Sequence, residues 1–303
     1  MSVTIVGTVA LDSIETPKGK FENILGGSAT FAGVAAGLFS PVDIVSIVGE
    51  DFPSEHISFL QANNINTDGV LTVPGKTFHW SGYYKDDMNQ AYTIATDLNV
   101  LLEFDPTLPE AAANRPYLFL ANLDPVIQKQ VILQSKSPKL IVLDTMNYWI
   151  ETKIAELKDV LKLVDVLIIN DQELRLLTGQ TNIIPGLPEV LKLGPKRVIV
   201  KKGEHGSVMY NGSDYFLLPA FPLPNLIDPT GAGDSFAGGF VGYLAKAGTT
   251  DEATFQRAMI AGTLISSHTV QGFSLEPLKT LTLDHLDKQF AIFRSYAGLP
   301  EGI

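Results

Sequence analysis

The sequence predicts an α/β fold: a doubly wound, mostly parallel sheet flanked by helices, with a small β-strand lid. Short apolar runs rich in β-branched residues recur at Val3–Val6, Ile44–Val48, Tyr117–Ala121, Leu140–Leu143, Val166–Ile169 and Val198–Val200. Helix-patterned stretches separate them, near Ser28–Phe39, Ser54–Asn63, Pro125–Gln134, Glu151–Leu163 and Asp171–Thr178. Strand–helix alternation of this kind builds a parallel sheet covered on both faces. The rhythm breaks once. Thr77–Tyr84 (TFHWSGYY) and Ala91–Ala95 flank the polar run Lys85–Gln90, which reads as two strands and a turn. With Asp12–Ile24 these strands form the lid, expected over the carboxyl edge of the main sheet. The whole chain, 1–303, reads as a single domain, with the lid formed by about 12–25 and 75–100.

Composition removes several classes of function. With 45% hydrophobic and 18% charged residues spread along 303 positions, the chain can build a large core and is not a disordered segment. A net charge of −11 argues against nucleic acid or an anionic membrane as the main partner, since both reward clustered Lys and Arg. It does not argue against a phosphorylated ligand, which local donors and a metal ion can hold. The absence of cysteine excludes disulfides, thiolate catalysis and cysteine-ligated metal sites. Met1–Gly7 reads as a core strand and not as a signal peptide, and no run approaches the ~18 apolar residues of a membrane span. The expectation is a soluble, cytoplasmic protein.

The chemistry concentrates in Asp228-Pro-Thr-Gly-Ala-Gly-Asp234-Ser-Phe-Ala-Gly-Gly-Phe240. Prolines at 219, 222 and 224 precede it, and Phe236, Phe240, Tyr243 and Leu244 recur at helical spacing up to Gly248. The run therefore opens a helix, with Gly248 as its C-cap. Gly231, Ala232 and Gly233 put small side chains where unpaired N–H groups point outward at the positive end of the helix dipole, an anion site without a basic side chain. A carboxylate at Asp234 would repel a bound phosphate, so simple anion binding does not explain it. It suits a base that takes the proton from a hydroxyl attacking a phosphoryl group. The plainer alternative is a tight glycine turn with Asp234 as a cap.

Asp228–Asp234 resembles the second signature of the ribokinase-like (PfkB) kinases, Asp-[Pro/Thr]-x-Gly-Ala-Gly-Asp, at every specified position. The resemblance runs through nearly the whole chain. Gly26-Gly27-Ser-Ala-Thr-Phe-Ala-Gly33 is similar to the first signature, a di-glycine followed by a small-residue helix, and Gly7–Asp12 to the N-terminal strand whose final Asp grips acceptor hydroxyls. Asn170-Asp-Gln-Glu173 resembles the motif that organises Mg²⁺ and the phosphates through water, though an Asn cap with a first-turn Glu would look the same. Lys201-Lys-Gly203-Glu-His-Gly206 resembles the turn beside the nucleotide's phosphates and ribose.

From this resemblance follow an ATP-dependent kinase with ATP and Mg²⁺ as cofactors and a small-molecule hydroxyl acceptor. It also implies catalysis by Asp234 with Gly231, Ala232 and Gly233, and acceptor binding by Asp12, Gly26, Gly27, Phe31 and Asp234. The nucleotide side would be Asn170, Glu173, Lys201, Gly203, Gly206, Thr230 and Gly233. Asp228 and Thr230, with the loop near Gln271–Ser274, match a K⁺ site of many relatives, and the helix Asp251–His268 would flank the adenine. Relatives often pair through their lids, which implies a homodimer of that kind.

The acceptor is less sharply written. Sugar-specific relatives carry an Asn where this chain has Phe31, and a polar residue where it has Ala10. Phe78, Trp80, Tyr83 and Tyr84 in the lid could stack, with Phe31, on a nucleobase, or form a small lid core. The favoured acceptor is a nucleoside, with a monosaccharide or inositol as alternatives. A nucleotide- or nucleoside-sensing protein without turnover is the alternative of a different class. Pro74-Gly-Lys-Thr77 is not a P-loop, because Val70 stands where the first glycine belongs and a strand follows. The five histidines show no metal-ligand spacing, and no Gly-x-Ser-x-Gly elbow or strand-borne Gly-x-Gly-x-x-Gly appears.

Overall fold

The computed structural model describes residues 1–296; the last seven positions of the 1–303 span lie outside the described residues. The strands are β1 (Val3–Val6), β2 (Ala10–Thr16), β3 (Gly19–Gly26), β4 (Val42–Gly49), β5 (Ile65–Val73), β6 (His79–Tyr84), β7 (Ala91–Asp97), β8 (Tyr117–Leu120), β9 (Leu140–Asp144), β10 (Val166–Asn170), β11 (Arg197–Lys201), β12 (Ser207–Tyr210) and β13 (Tyr215–Leu218). The helices are α1 (Ser28–Gly37), α2 (Ser54–Ala62), α3 (Glu110–Ala113), α4 (Pro125–Gln134), α5 (Asn147–Thr152), α6 (Ile154–Leu161), α7 (Asp171–Thr178), α8 (Ile183–Leu191), α9 (Ala232–Ala247), α10 (Glu252–Thr269) and α11 (Leu283–Tyr296).

Nine strands form the main sheet in the order β13-β12-β11-β10-β9-β8-β1-β4-β5. The pairs from β11 across to β5 are parallel, and β12 and β13 close one edge as an antiparallel pair. The mostly parallel sheet predicted from the sequence is therefore present. The reason for the continuous apolar runs is visible in β1. Val3 and Ile5 enter a core shared with α1, α9, α10 and α11, while Val6 enters a second core shared with α4, α6, α7 and α8. A strand buried on both faces has no polar side to alternate with.

Three local differences from the sequence reading have physical causes. The single helix expected over Glu151–Leu163 is two, α5 and α6, because Lys153 leaves the helical region at φ −136°, ψ 42°. The edge strands β12 and β13 add an antiparallel pair that the strand–helix alternation does not predict; each has only four residues, and Tyr215 and Leu217 face solvent at the open edge. The strand expected from Thr77 starts two residues later, since Asp51 Oδ1 accepts from both the Thr77 N–H and hydroxyl at 2.7 Å.

The second sheet has four strands in the order β3-β2-β6-β7. β2 leaves the carboxyl end of β1 after three residues, returns as the antiparallel β3, and pairs in parallel with β6, which places Asp12 beside Trp80. β3 then runs into α1 through Gly26 and Gly27. Among the described residues, no helix is long and apolar enough to cross a membrane.

Candidate active site

The first turn of α9 is built as the sequence suggested. Gly231 caps it at φ +75°, a left-handed conformation that a side chain resists. A Cβ there would also fall 2.4 Å from the ring of Phe31, so the loop can take this shape only with glycine. Two expected roles change. The Ala232 N–H, counted among the anion donors, turns back to Pro229 O at 3.2 Å, which leaves the outward donors further along, at Gly233 and Asp234. Phe31, expected to face the acceptor, is 1% exposed and lies beneath Gly231, so it supports the loop and offers no open face for stacking.

Five carboxyl groups and one ammonium converge at this edge. Asp234 opens α9, Asp144 ends β9, Lys201 ends β11, Glu173 lies in the first turn of α7, and Asp12 comes from β2. Asp228, fully buried, precedes the loop. Lys201 Nζ lies 3.3 Å from Asp144 Oδ2, and a Cβ on Gly233 would meet the same Nζ at 2.9 Å. The ammonium therefore hangs over the anion loop while paired behind it. In the sequence Asp144 simply follows the apolar run Leu140–Leu143; Lys201 is what recruits it.

Burial dominates the electrostatics. Asp234 is pushed up to about 6 by burial and then by Asp144, with Lys201 opposing. Asp12 is pushed up to about 7 by burial, Asp228 and Asp234, against N–H groups of Gly27 and Trp80. Glu173 reaches about 7 through burial and Asp144. Burial also raises Asp144 against Lys201, and raises Asp228. For Lys201 burial pulls downward, but Asp144, Glu173 and Asp234 outweigh it and hold the ammonium above its ordinary value. Such crowding of like charge in a buried edge is unfavourable for the fold alone and is typical of a working site.

Gly26 and Gly27 make room for Asp12 and for the turn into α1. A Cβ on Gly26 would fall 1.9 Å from Asp12 Oδ2, and Gly27 holds φ +99° with Thr8 O 2.4 Å from where its Cβ would stand. Asn170 and Glu173 form a capping box: Asn170 Oδ1 accepts from the Glu173 N–H at 2.8 Å and Glu173 Oε2 from the Asn170 N–H at 2.7 Å. The cap and a site role are compatible, because Glu173 faces the same cluster as Asp144 and Lys201. Gly203 and Gly206 shape the turn after β11 at φ +54° and +78°. The tip of the β6–β7 hairpin comes down beside this turn, with Asn89 Oδ1 3.9 Å from where a Cβ on Gly203 would stand.

Behind the loop, Thr230 N–H donates to Asp228 Oδ1 at 2.9 Å, and the Ile227 N–H reaches Val270 O at 2.9 Å, joining the loop to the segment after α10. Asp228 Oδ2 is buried without a hydrogen-bond partner. Among the described residues no group of three His, Cys, Asp or Glu side chains converges to hold a metal by itself.

This edge sets a buried carboxyl, Asp234, at a helix N-terminus with an ammonium beside it. A model of the pfkB family carbohydrate kinases matches residues 2–277. The chain belongs to that family, and is an ATP-dependent sugar or nucleoside kinase. It is similar to the cytidine kinase of Thermococcus kodakarensis, 27% identical over 250 residues that span 80% of this chain and 88% of the relative. The ribokinase of Lactococcus lactis is 26% identical over 264 residues, 78% and 82% of the two chains. Its fold matches the solved nucleoside kinase of Methanocaldococcus jannaschii with a TM-score of 0.76, at 20% identity over 96% and 98% of the two chains.

Proposed function

We propose that this kinase moves the γ-phosphoryl group of ATP to a hydroxyl of a nucleoside, with Asp234 as the base. The observation that carries the mechanism is the buried Asp234 carboxyl at the N-terminus of α9, raised to about 6 beside the Lys201 ammonium. A base of that strength is ionised at neutral pH yet basic enough to take the acceptor proton. Asp12 holds the acceptor hydroxyls, the Gly233 and Asp234 amides receive developing charge, and Lys201 steadies the phosphates. Asn170 and Glu173, with the Gly203–Gly206 turn and Thr230, line the nucleotide side.

Five carboxyls around one lysine would repel a triphosphate, so the residues present fit a divalent cation that Asn170 and Glu173 would help to hold. Mg²⁺ bound there would supply charge neutralisation for the phosphates. The unpartnered Oδ2 of Asp228 fits a monovalent cation such as K⁺ under the loop. The four-stranded sheet acts as the lid that excludes water. It also carries exposed Phe21 and Ile94, and pairing of two copies through it belongs to this reading, as does a cytoplasmic location.

Two observations favour a nucleoside over a free sugar. Trp80 is half-buried and in register with Asp12 on the small sheet, where its ring lies along Gly82. Similarity to a cytidine kinase points the same way, and Ala10 and Phe31, both buried, offer no polar side chain to a sugar's hydrogen-bond network. Similarity to a ribokinase keeps a monosaccharide as the second reading.

The test is ADP release with ATP and Mg²⁺ against nucleosides, pentoses, hexoses and inositols, with Asp234→Asn in parallel. Turnover with nucleosides, reduced about 10²–10⁴-fold in the variant, supports the reading. Turnover confined to free sugars overturns the acceptor, and undiminished turnover in the variant overturns the base. ATP binding with no turnover on any acceptor would return the sensing alternative.

A further inference from the structure

The four-stranded sheet is tied to the anion loop through Tyr84. This residue ends β6, and its hydroxyl oxygen accepts from Thr230 Oγ1 at 3.1 Å, a contact between residues 146 apart in sequence. Thr230 stands between Asp228, whose Oδ1 takes its N–H, and Gly231, the left-handed cap of α9. The phenol is pushed up, first by burial and then by the neighbouring Asp228, Asp12 and Asp234, while the Thr230 hydroxyl opposes this.

The loop needs such a hold. A turn built on Pro229, Thr230 and the glycines at 231 and 233 has little side-chain packing to select one shape, and glycine has the largest backbone entropy to lose. Phe31 supports it from beneath, and Tyr84 reaches it from the sheet above. If Tyr84 merely filled space between the two sheets, its ring would suffice and the hydroxyl would do nothing.

We propose that Tyr84 is a positioning residue: its hydroxyl, bonded to Thr230, holds the 229–233 loop in its reactive shape only when the lid lies over the acceptor. Lid position is thereby linked to readiness of the donors at Gly233 and Asp234. This specifies how the lid of the proposed kinase acts, and it presupposes that Asp234 and its loop are the transfer centre.

The experiment is a double-mutant cycle on turnover with Tyr84→Phe, Thr230→Val and the pair. Turnover by the unaltered enzyme tests the function, and the cycle tests the link, so the two fail separately. Each single variant should lower kcat about 3- to 10-fold, the worth of one hydrogen bond, with acceptor KM within about twofold. The pair should be no worse than either alone, and Thr230→Ser should restore most of the rate. Unchanged kcat in Tyr84→Phe, losses that multiply in the pair, or a loss confined to acceptor KM would each overturn the proposal. Should Thr230→Val misfold, Thr230→Ala serves in the cycle with the same expected pattern.

Discussion

Lys201 and Asp144, 57 residues apart in the chain, form an ion pair of 3.3 Å, with side chains 19% and 7% exposed. Parallel pairing sets them together: β9, β10 and β11 are neighbours and all point their carboxyl ends at one edge. The pair places a cation over the anion loop without leaving it unbalanced. It also adds Asp144 to the acids that press Asp234 and Glu173 upward.

Removing that cation should destabilise the fold more in base than in acid. Lys201→Met leaves Asp144, Glu173 and Asp234 facing one another, and breaking a buried pair costs about 3–5 kcal/mol while the remaining charge stays ionised. Protonation relieves this. Denaturant unfolding should show a larger loss at about pH 8 than at about pH 5.5. Equal losses would mean that Lys201 does not balance these acids.

Catalysis should fail on the acid side. If Asp234 is the base, it must be ionised to take a proton, and kcat/KM should fall below an apparent pKa of about 6. Asp12 and Glu173, both raised to about 7, interact with it, so the limb reports the group and not one residue. Lys201→Met should move the limb to higher pH. A profile flat down to about pH 5 would remove the buried base from the mechanism.

Asp234→Asn should stabilise the protein at neutral and higher pH. The sign follows from the raised carboxyl: between its unfolded value of 3.8 and its folded value of about 6, the folded state binds more protons. Stability contributed by the neutral form is present below that window and lost as pH rises through it. The amide does not ionise, so the gain should be about 1–3 kcal/mol near pH 8 and vanish near pH 4. Thermal melts at the two pH values check it, and destabilisation at pH 8 contradicts it.

Gly231→Ala should cost both stability and rate. The left-handed backbone alone costs about 1–2 kcal/mol for a side chain, and the new methyl would press on the Phe31 ring. We expect turnover to fall at least about 100-fold, since the Gly233 and Asp234 amides move with the cap. Near-normal turnover would show that the loop shape is not required.

Gly26→Ala should act on the acceptor alone. Its methyl would displace the Asp12 carboxylate, so acceptor KM should rise about 10-fold or more, the worth of a charged hydrogen bond, while ATP affinity measured by calorimetry holds. A change confined to ATP would place Asp12 on the wrong side of the site.

What the sequence determined alone were features with a local cause. Continuous apolar runs announced strands buried on both faces, α7 was readable from Asn170 and Glu173, and the glycines of 231–233 marked a helix start. Phe31 shows the limit: its aromatic character was legible, but only the packing of α1 against α9 puts its ring under Gly231. The same holds for the Ala232 amide, whose turn back to Pro229 depends on the loop's closed shape. Asp144 could be seen as a strand end but not as the partner of Lys201, and nothing local in β6 points Tyr84 at Thr230. Propensity and periodicity act within a few residues of chain. Charge balance, desolvation and the meeting of the two sheets arise from neighbours 57 and 146 positions away, which only the tertiary structure brings together.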